Sequence, residues 1–431
     1  TMASVLALGG GCSYRLDGNG FFRPLEDAGV DGASGGEAKI RRRSGYLSAA
    51  KRSILGVFAR VFLPKGYPES VSEDYISYQF WDTVQALCSY LRGILTTKAW
   101  FEGVGVGNDQ ATASAATIQW ILKDGCGMAG GLVFASAYGQ TFDSNVKSWR
   151  FFADGINNVG LLLDMLAPFA GENFLYVVCI ATVCKAMCGV AAGATKAGLT
   201  SHFALKHNQA DVQAKESSQE TFVTLLGLVL GSWLARYVNH SYLVSWIWFL
   251  VLTVVHMLSN YMGLRSLRFK TLNHERFSIL CADWNAKNRM SSVMEIAWRE
   301  PLIGPLLHSI FNKPRILVGV EWTECVRTKS EYSWLRGIYN KEERYLLNYR
   351  DGVVVVVLLE GAKSRDIFAA YYQAVTLLRM RAKTDIKSVV EASYRVSKER
   401  FPEFCVAAET VEWDLERCIL ICGRERYSCA S

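Results

Sequence analysis

Between Tyr242 and Met262 the chain carries no Asp, Glu, Lys or Arg. A helix of about 20 apolar residues spans ~30 Å of bilayer hydrocarbon, so such a stretch is either a membrane crossing or a helix buried on every side. Trp246, Trp248 and Phe249 stand near one end of it, as aromatic residues do at a membrane interface. The preceding stretch, Thr221–Val238, is uncharged up to Arg236, which lies near enough to its end to reach the interface. Asn239, His240 and Ser241 suffice only to turn the chain. The two stretches therefore predict a helical hairpin that crosses and returns. Asn239-His240-Ser241 also has the glycosylation pattern, but hugs the membrane too closely to be used. Lys196, Lys206 and Lys215 precede the hairpin and Arg265, Arg268, Lys270 and Arg276 follow it. That basic bias puts both flanks on the cytosolic side or its organellar equivalent.

Three earlier segments are weaker candidates. Gly125–Phe142 is uncharged, Gly155–Gly171 carries Asp164 and Pro168, and Phe174–Thr195 carries Lys185. Small residues recur at every fourth position in Gly127, Gly131, Ala135 and Gly139, in Gly189, Gly193 and Ala197, and in Gly227, Gly231 and Ala235. In lipid, where no hydrophobic drive brings helices together, such strips let backbones approach closely. Their repetition favours membrane packing over a soluble helical core, and places Gly131, Gly193 and Gly231 at helix–helix contacts. The chain is 50% hydrophobic and 20% charged, a balance between that of a soluble protein and that of a transporter buried wholly in lipid. A net charge of +7 suits an anionic membrane surface and does not argue for nucleic acid. The 12 cysteines include no CxxC pair and no Cys/His grouping at zinc spacing, so they read as reduced, apolar residues.

Residues 1–50, rich in Gly and Ser, read as a disordered lead-in. Glu26, Asp27, Asp31 and Glu37 argue against a transit peptide, and Val5–Leu8 is too short for a signal-peptide core. Residues 51–63 read as a basic amphipathic helix that ends before Pro64. Beyond residue 313 the composition changes. Arg344–Tyr349 and Val353–Leu359 flank Arg350-Asp351-Gly352, the pattern of a β-hairpin. The unbroken valines Val353–Val357 predict a strand covered on both faces. A helix from Ser364 bears the stripe Ile367, Tyr371, Ala374 and Leu378, a second covers 385–400, and 417–422 returns as a strand. The fold expected is an α-helical membrane domain, a packed helix bundle over 51–276, then a linker over 277–312 and a small soluble α+β domain over 313–431.

The stretch FLPKGYPESVSEDYISYQFWDTVQA (Phe62–Ala86) resembles the opening signature of the root UVB sensitive family. GVGVG (Gly103–Gly107), ATIQWILKDGCGM (Ala116–Met128), GATKAGLT (Gly193–Thr200), ADVQAKESSQET (Ala210–Thr221) and TLN (Thr271–Asn273) follow in that family's order. Lys98, Asn158 and Lys196 depart from residues common in it. The resemblance implies a eukaryotic membrane protein, with plant members linked to seedling growth, root responses to UV-B light and vitamin B6 homeostasis. It supplies no reaction.

GVGVG lacks the third glycine of a dinucleotide loop, since Asn108 stands there, and it follows a helix-like stretch instead of a strand. No Ser/His/Asp or Cys/His set, metal motif or carboxylate pair stands out, so neither an enzyme nor a cofactor or metal is expected. The candidate ligand-binding residues are polar groups beside or inside the apolar segments. Asp211, Lys215, Glu216 and Gln219 lie in the polar stretch before Thr221, where Ser217 and Glu220 also have capping-box spacing. Asp154 and Asn158 share a helix face with Arg150, His256 shares one with Asn260, and Lys196 lies in GATKAGLT. Ionisable groups inside a membrane usually face partners or a wet cavity. Asp211, Lys215 and Glu216 are expected to gather with Asp154 or His256 around one polar cavity. The partners expected are the lipid bilayer, a family paralogue or second copy of the chain, and a small polar metabolite, vitamin B6-related through the resemblance alone. A membrane scaffold that recruits proteins through its C-terminal domain is the alternative. The location expected is an integral membrane of the plastid, the endoplasmic reticulum or another endomembrane.

Overall fold

The computed structural model describes three short strands at 6–8, 12–16 and 22–24, and residues 56–104, 113–238, 241–304, 315–339, 342–380 and 385–428. The chain divides into two compact units, Thr1–Val61 and Phe62–Ser431. In the first, β1 (Leu6–Leu8), β2 (Cys12–Leu16) and β3 (Phe22–Pro24) pair as an antiparallel meander. The rest of the 1–50 lead-in falls outside the described residues. So do 51–55 of the amphipathic helix, whose described part, 56–62, is helical and leaves Val57 and Phe58 exposed.

The second unit opens with six long helices, α1 (Tyr75–Val104), α2 (Ala113–Tyr138), α3 (Val146–Leu166), α4 (Phe174–Phe203), α5 (Gln209–Val238) and α6 (Tyr242–Ser266). Helices α3 and α4 fold back on each other around a 3-10 segment, Ala167–Asn173, whose Gly171 takes the positive φ of 55° that a side chain resists. Their faces meet because the sequence keeps them small. A Cβ on Gly160 would lie 2.9 Å from the Ala181 carbonyl, and one on Gly198 3.0 Å from Val146. The charge in each segment finds the other, with Lys185 Nζ 2.6 Å from Asp164 Oδ2. Helix α2 lies along α4, where Gly127 and Gly130 face Thr182 and Val183.

Helices α5 and α6 follow one another, but both pack chiefly on α1. Gly227 lies against the Tyr90 ring, 2.5 Å from where its Cβ would stand, and Gly231 against Ile94. On the other side Gly263 of α6 meets Trp81 and Tyr78. The expected hairpin thus has a third helix between its arms. Of the small-residue strips, Gly131 and Gly231 lie at helix contacts, but Gly193 does not: a Cβ there would meet nothing within 4 Å among the described residues. Helix α5 begins well before Thr221, so Ser217 and Glu220 sit in its interior and cap nothing. Three helical stretches, Val146–Phe203, Gln209–Val238 and Tyr242–Ser266, are long and apolar enough to cross a membrane by length and composition. Leu132, Val133, Tyr176, Val229, Leu243 and Val254 point their side chains outward from the helices.

A smaller α+β region follows. Residues 277–312, read from sequence as a linker, instead contain most of α7 (His274–Lys287) and all of α8 (Val293–Arg299). Phe277, Leu280, Cys281, Trp284 and Ile296 are part of the C-terminal core, so the linker reading is corrected. The sheet order is β5 (Ile316–Val318), β7 (Val353–Leu358), β6 (Tyr345–Arg350), with β5 parallel and β6 antiparallel to β7. Asp351 and Gly352, at φ 49° and 83°, turn β6 into β7 with the positive dihedrals that an Asp-Gly pair favours. Val354–Leu358 are buried in sequence, as a strand covered on both faces requires. The covering helices are α9 (Trp322–Cys325), α10 (Lys329–Ile338), α11 (Ser364–Arg379) and α12 (Ile386–Thr410). Helix α12 runs through Pro402 past the expected end at 400, because Phe401 and Phe404 pack on Tyr372. Strand β8 (Asp414–Cys418) then pairs in parallel with β4 (Thr271–Leu272) just after α6.

Candidate functional site

The nine candidate residues fall into two neighbouring groups. The inner group lies where α1, α3 and α6 face one another. Helix α3 presents Arg150, Asp154 and Asn158 on one face at successive turns, and α6 presents Thr253, His256 and Asn260 likewise. Asn260 Nδ2 donates to Asp154 Oδ2. His256 Nε2 stands 3.7 Å from the other oxygen of that carboxylate. From α1, Arg92 donates through Nη1 to Asn158 Oδ1 and, over 3.3 Å, to Thr253 Oγ1. Arg150 Nη2 lies 3.2 Å from Asp82 Oδ1. Arg92, His256 and Asn260 are 0%, 1% and 2% exposed, which shuts them off from bulk water. Nevertheless, among the described residues, Nε and Nη2 of Arg92, both ring nitrogens of His256 and Oδ1 of Asn260 have no hydrogen-bond partner. Burying such groups unpaired is costly, which marks this cluster as the candidate site within the helices.

The outer group lines the start of α5. Lys196 Nζ lies 3.4 Å from Glu216 and 3.0 Å from Glu220. Gln219 Nε2 donates to the Phe62 carbonyl at 2.7 Å and to the Tyr75 hydroxyl at 3.3 Å. Asp211 accepts from the Lys65 backbone N–H at 2.7 Å, tying down the segment before α1, while Lys215 is half-buried. Glu216 is the link between the groups: it is buried, and it feels the charges of Asp82 and Arg150. Asp211 thus clamps the chain before α1, and among the described hydrogen bonds and ion pairs none joins it to Asp154 or His256.

Sequence reading missed Arg92. Its signal is faint: Gln85, Cys88, Arg92 and Thr96 make a narrow polar face on a helix that carries several other charges. It also missed a groove of about 910 Å³ below the helices, lined by Asp74, His202, Arg268, Lys270, Glu412 and Arg417 among others. There Asp74 accepts from Ser72 Oγ at 2.5 Å and the Arg268 N–H at 2.6 Å, and meets His202 Nε2 at 2.8 Å. Burial alone would raise the Asp74 pKa, but His202, Ser72 and Arg268 outweigh it and hold the carboxyl at about 2. The groove carries both signs of charge. Among the described residues no three His, Cys, Asp or Glu side chains converge as metal ligands.

Helices of membrane-crossing length around a buried polar cluster, joined to a compact α+β region, define the class of protein. The chain belongs to the root UVB sensitive family. Residues 48–288 match its "Vitamin B6 photo-protection and homoeostasis domain", and residues 289–424 match "Root UVB sensitive protein, C-terminal". It is 39% identical over 354 residues to Protein root UVB sensitive 3 of Arabidopsis thaliana, covering 80% of this chain and 79% of that protein. It is 46% identical over 240 residues to RUS family member 1 of Dictyostelium discoideum, covering 55% of this chain and 44% of that protein. Protein root UVB sensitive 5 of Arabidopsis thaliana is 28% identical over 406 residues, covering 88% of this chain and 78% of that protein. No solved structure matches the chain.

Proposed function

We propose that this protein is an integral membrane protein that binds or carries a small polar metabolite in its helical region, without catalysing its conversion. The observation that carries the reading is the set of unpartnered polar atoms on Arg92, His256 and Asn260 between α1, α3 and α6. A small molecule with acceptors for Arg92 and one His256 nitrogen, and donors for the other His256 nitrogen and Asn260 Oδ1, satisfies them together. The outward apolar side chains of the helices supply the surface that lipid would cover. The domain description names vitamin B6, and B6 vitamers fit the chemistry, since each combines hydroxyl groups with a ring nitrogen. Glu216, which feels the charges of Asp82 and Arg150 and pairs with Lys196, links this cluster to the polar start of α5.

The test is titration of the protein in lipid nanodiscs with pyridoxine, pyridoxal and their phosphates. Saturable binding is expected, weakened about tenfold or more by Arg92→Met, as loss of hydrogen bonds to a charged group implies. Thermal unfolding of the variant shows whether its fold survives. Absence of binding by the unaltered protein, or equal binding by a folded Arg92→Met variant, overturns the reading. The scaffold alternative would draw on exposed apolar side chains of the α+β region, and of these Met294 and Trp298 lie beside the end of α6.

A further inference from the structure

We infer that α8 is a lipid-contacting element, with Met294, Trp298 and Ile303 seated in the headgroup layer where α6 ends. The inference rests on the reading of α6 as a membrane crossing. Helix α8 is short and rigidly begun: Ser292 and Glu295 satisfy each other's backbone N–H groups in a capping box. Its inward side chains, Ile296 and Ala297, are buried in the unit. Met294 and Trp298, one turn apart on the opposite face, are 49% and 52% exposed, and Ile303 just beyond is 53% exposed. Exposed side chains of that size on one short element call for a cover.

Arg265 identifies the cover. It lies in the last turn of α6, and its guanidinium donates to the carbonyls of Ala297, Trp298 and Glu300 at 3.3, 2.7 and 2.8 Å. It also stands 5.0 Å from the centre of the Tyr261 ring. The end of α6 and the end of α8 are thus held within one side chain's reach. Up α6, Leu250, Val254, Leu258 and Tyr261 are exposed in succession, a row that would meet acyl chains and that stops at Arg265. An aromatic residue followed by arginine is what anchors a helix end at the headgroups. Whatever depth Arg265 occupies, Trp298 shares it. The described partners of Arg265 are carbonyl dipoles, so its positive charge remains to attract a headgroup phosphate. Trp298 suits that layer, with an apolar ring body and one polar N–H.

The experiment places the photoreactive residue p-benzoyl-phenylalanine singly at positions 254, 298 and 388 of the full chain in nanodiscs of phosphatidylcholine and phosphatidylglycerol. Adducts are identified by mass spectrometry. Position 388 is the aqueous control. It is exposed near the start of α12, whose other end lies beside Lys270, roughly 35 Å away at helical rise. Lipid adducts are expected at 254 and 298, each about tenfold or more above 388, as burial of an aromatic side chain in an apolar layer implies. Position 294 gives the same readout if substitution at 298 prevents folding. Lipid adducts at 254 but not at 298 or 294 overturn this inference and leave the crossing intact. Absence of adducts at 254 as well removes the crossing itself. Adducts from 298 to polypeptide instead of lipid also overturn the inference, and point to a protein partner.

Discussion

Replacing Glu300 with alanine removes a carboxylate that two buried cations share. Glu300 Oε1 lies 3.1 Å from Arg276 Nε and Oε2 lies 3.3 Å from Lys147 Nζ, while Asn273 Nδ2 donates to Oε1 at 3.0 Å. The side chains of Lys147, Arg276 and Glu300 are 2%, 3% and 4% exposed, so water cannot stand in for the lost partner. Each attraction is worth about 5 kcal/mol gross at an effective dielectric of ~20. The cost of desolvating the carboxylate cancels part of this, and removing one member of a buried set costs about 3–5 kcal/mol net. The expected result is a thermal midpoint on the order of 10 °C lower in mild detergent, followed by tryptophan fluorescence. Burial alone would raise the Glu300 pKa, but Arg276 and Lys147 outweigh it and hold the carboxyl below its ordinary range. Its contribution is therefore present above the ordinary carboxylate pKa and is lost as pH falls through the depressed folded-state value. A double-mutant cycle of Glu300→Leu with Lys147→Met should show the double variant less damaged than the sum of the singles. Additive losses, or a Glu300→Ala change below about 1 kcal/mol, would refute the argument that burial makes this set interdependent.

Gly231→Leu should lower the midpoint, at a cost of about 1–3 kcal/mol, because its side chain meets Ile94. Gly193→Leu, facing open space, should stay within about 0.5 kcal/mol of the unaltered protein; equal effects from the two would sink the packing argument. Burial lowers the pKa of His274 from its ordinary 6.5 to about 4 while its Nε2 accepts from the Ile421 N–H. Between those values the unfolded chain binds a proton that the folded one does not. Stability should therefore fall by about 1–2 kcal/mol on acidification to pH 5, and less in His274→Gln. Cysteines introduced at Ser217 and Ser266 should be labelled by an impermeant reagent from the same face of sealed vesicles, and labelling from opposite faces would exclude a returning hairpin.

Features written in short stretches of sequence are legible from the residues alone. The Asp351-Gly352 turn, the valine strand and the stripe of α11 each depend on neighbours within a few residues. So does the shared face of Asp154 and Asn158, and that of His256 and Asn260. Features that depend on distant partners are not legible in this way. Arg92 gains its meaning only from Asn158 and Thr253 on other helices. Gly193 has the same spacing as Gly231 but faces no helix among the described residues, because spacing fixes a strip's shape and not its neighbour. The hold of Asp211 on the backbone of Lys65 joins residues far apart in sequence. The stretch 277–312 passes for a linker because its core residues complete a sheet formed by strands still to come.

The place of α1 between α5 and α6 has a consequence for how the protein is made. Helix α1 leaves the ribosome before α5 and α6, carrying Asp82, Arg92, Lys98 and Glu102, and is too charged to enter lipid unaided. Its neighbours on both sides are translated only after α2, α3 and α4. On the membrane reading, α1 must wait at the bilayer surface or in the keeping of an insertion factor until α5 and α6 are threaded. Only then can Arg92 meet Thr253 and Glu102 meet the Tyr242 hydroxyl. A nascent chain halted before α5 would hold α1 with α3 beside it but without the two helices it packs on most, open to proteases and quality control.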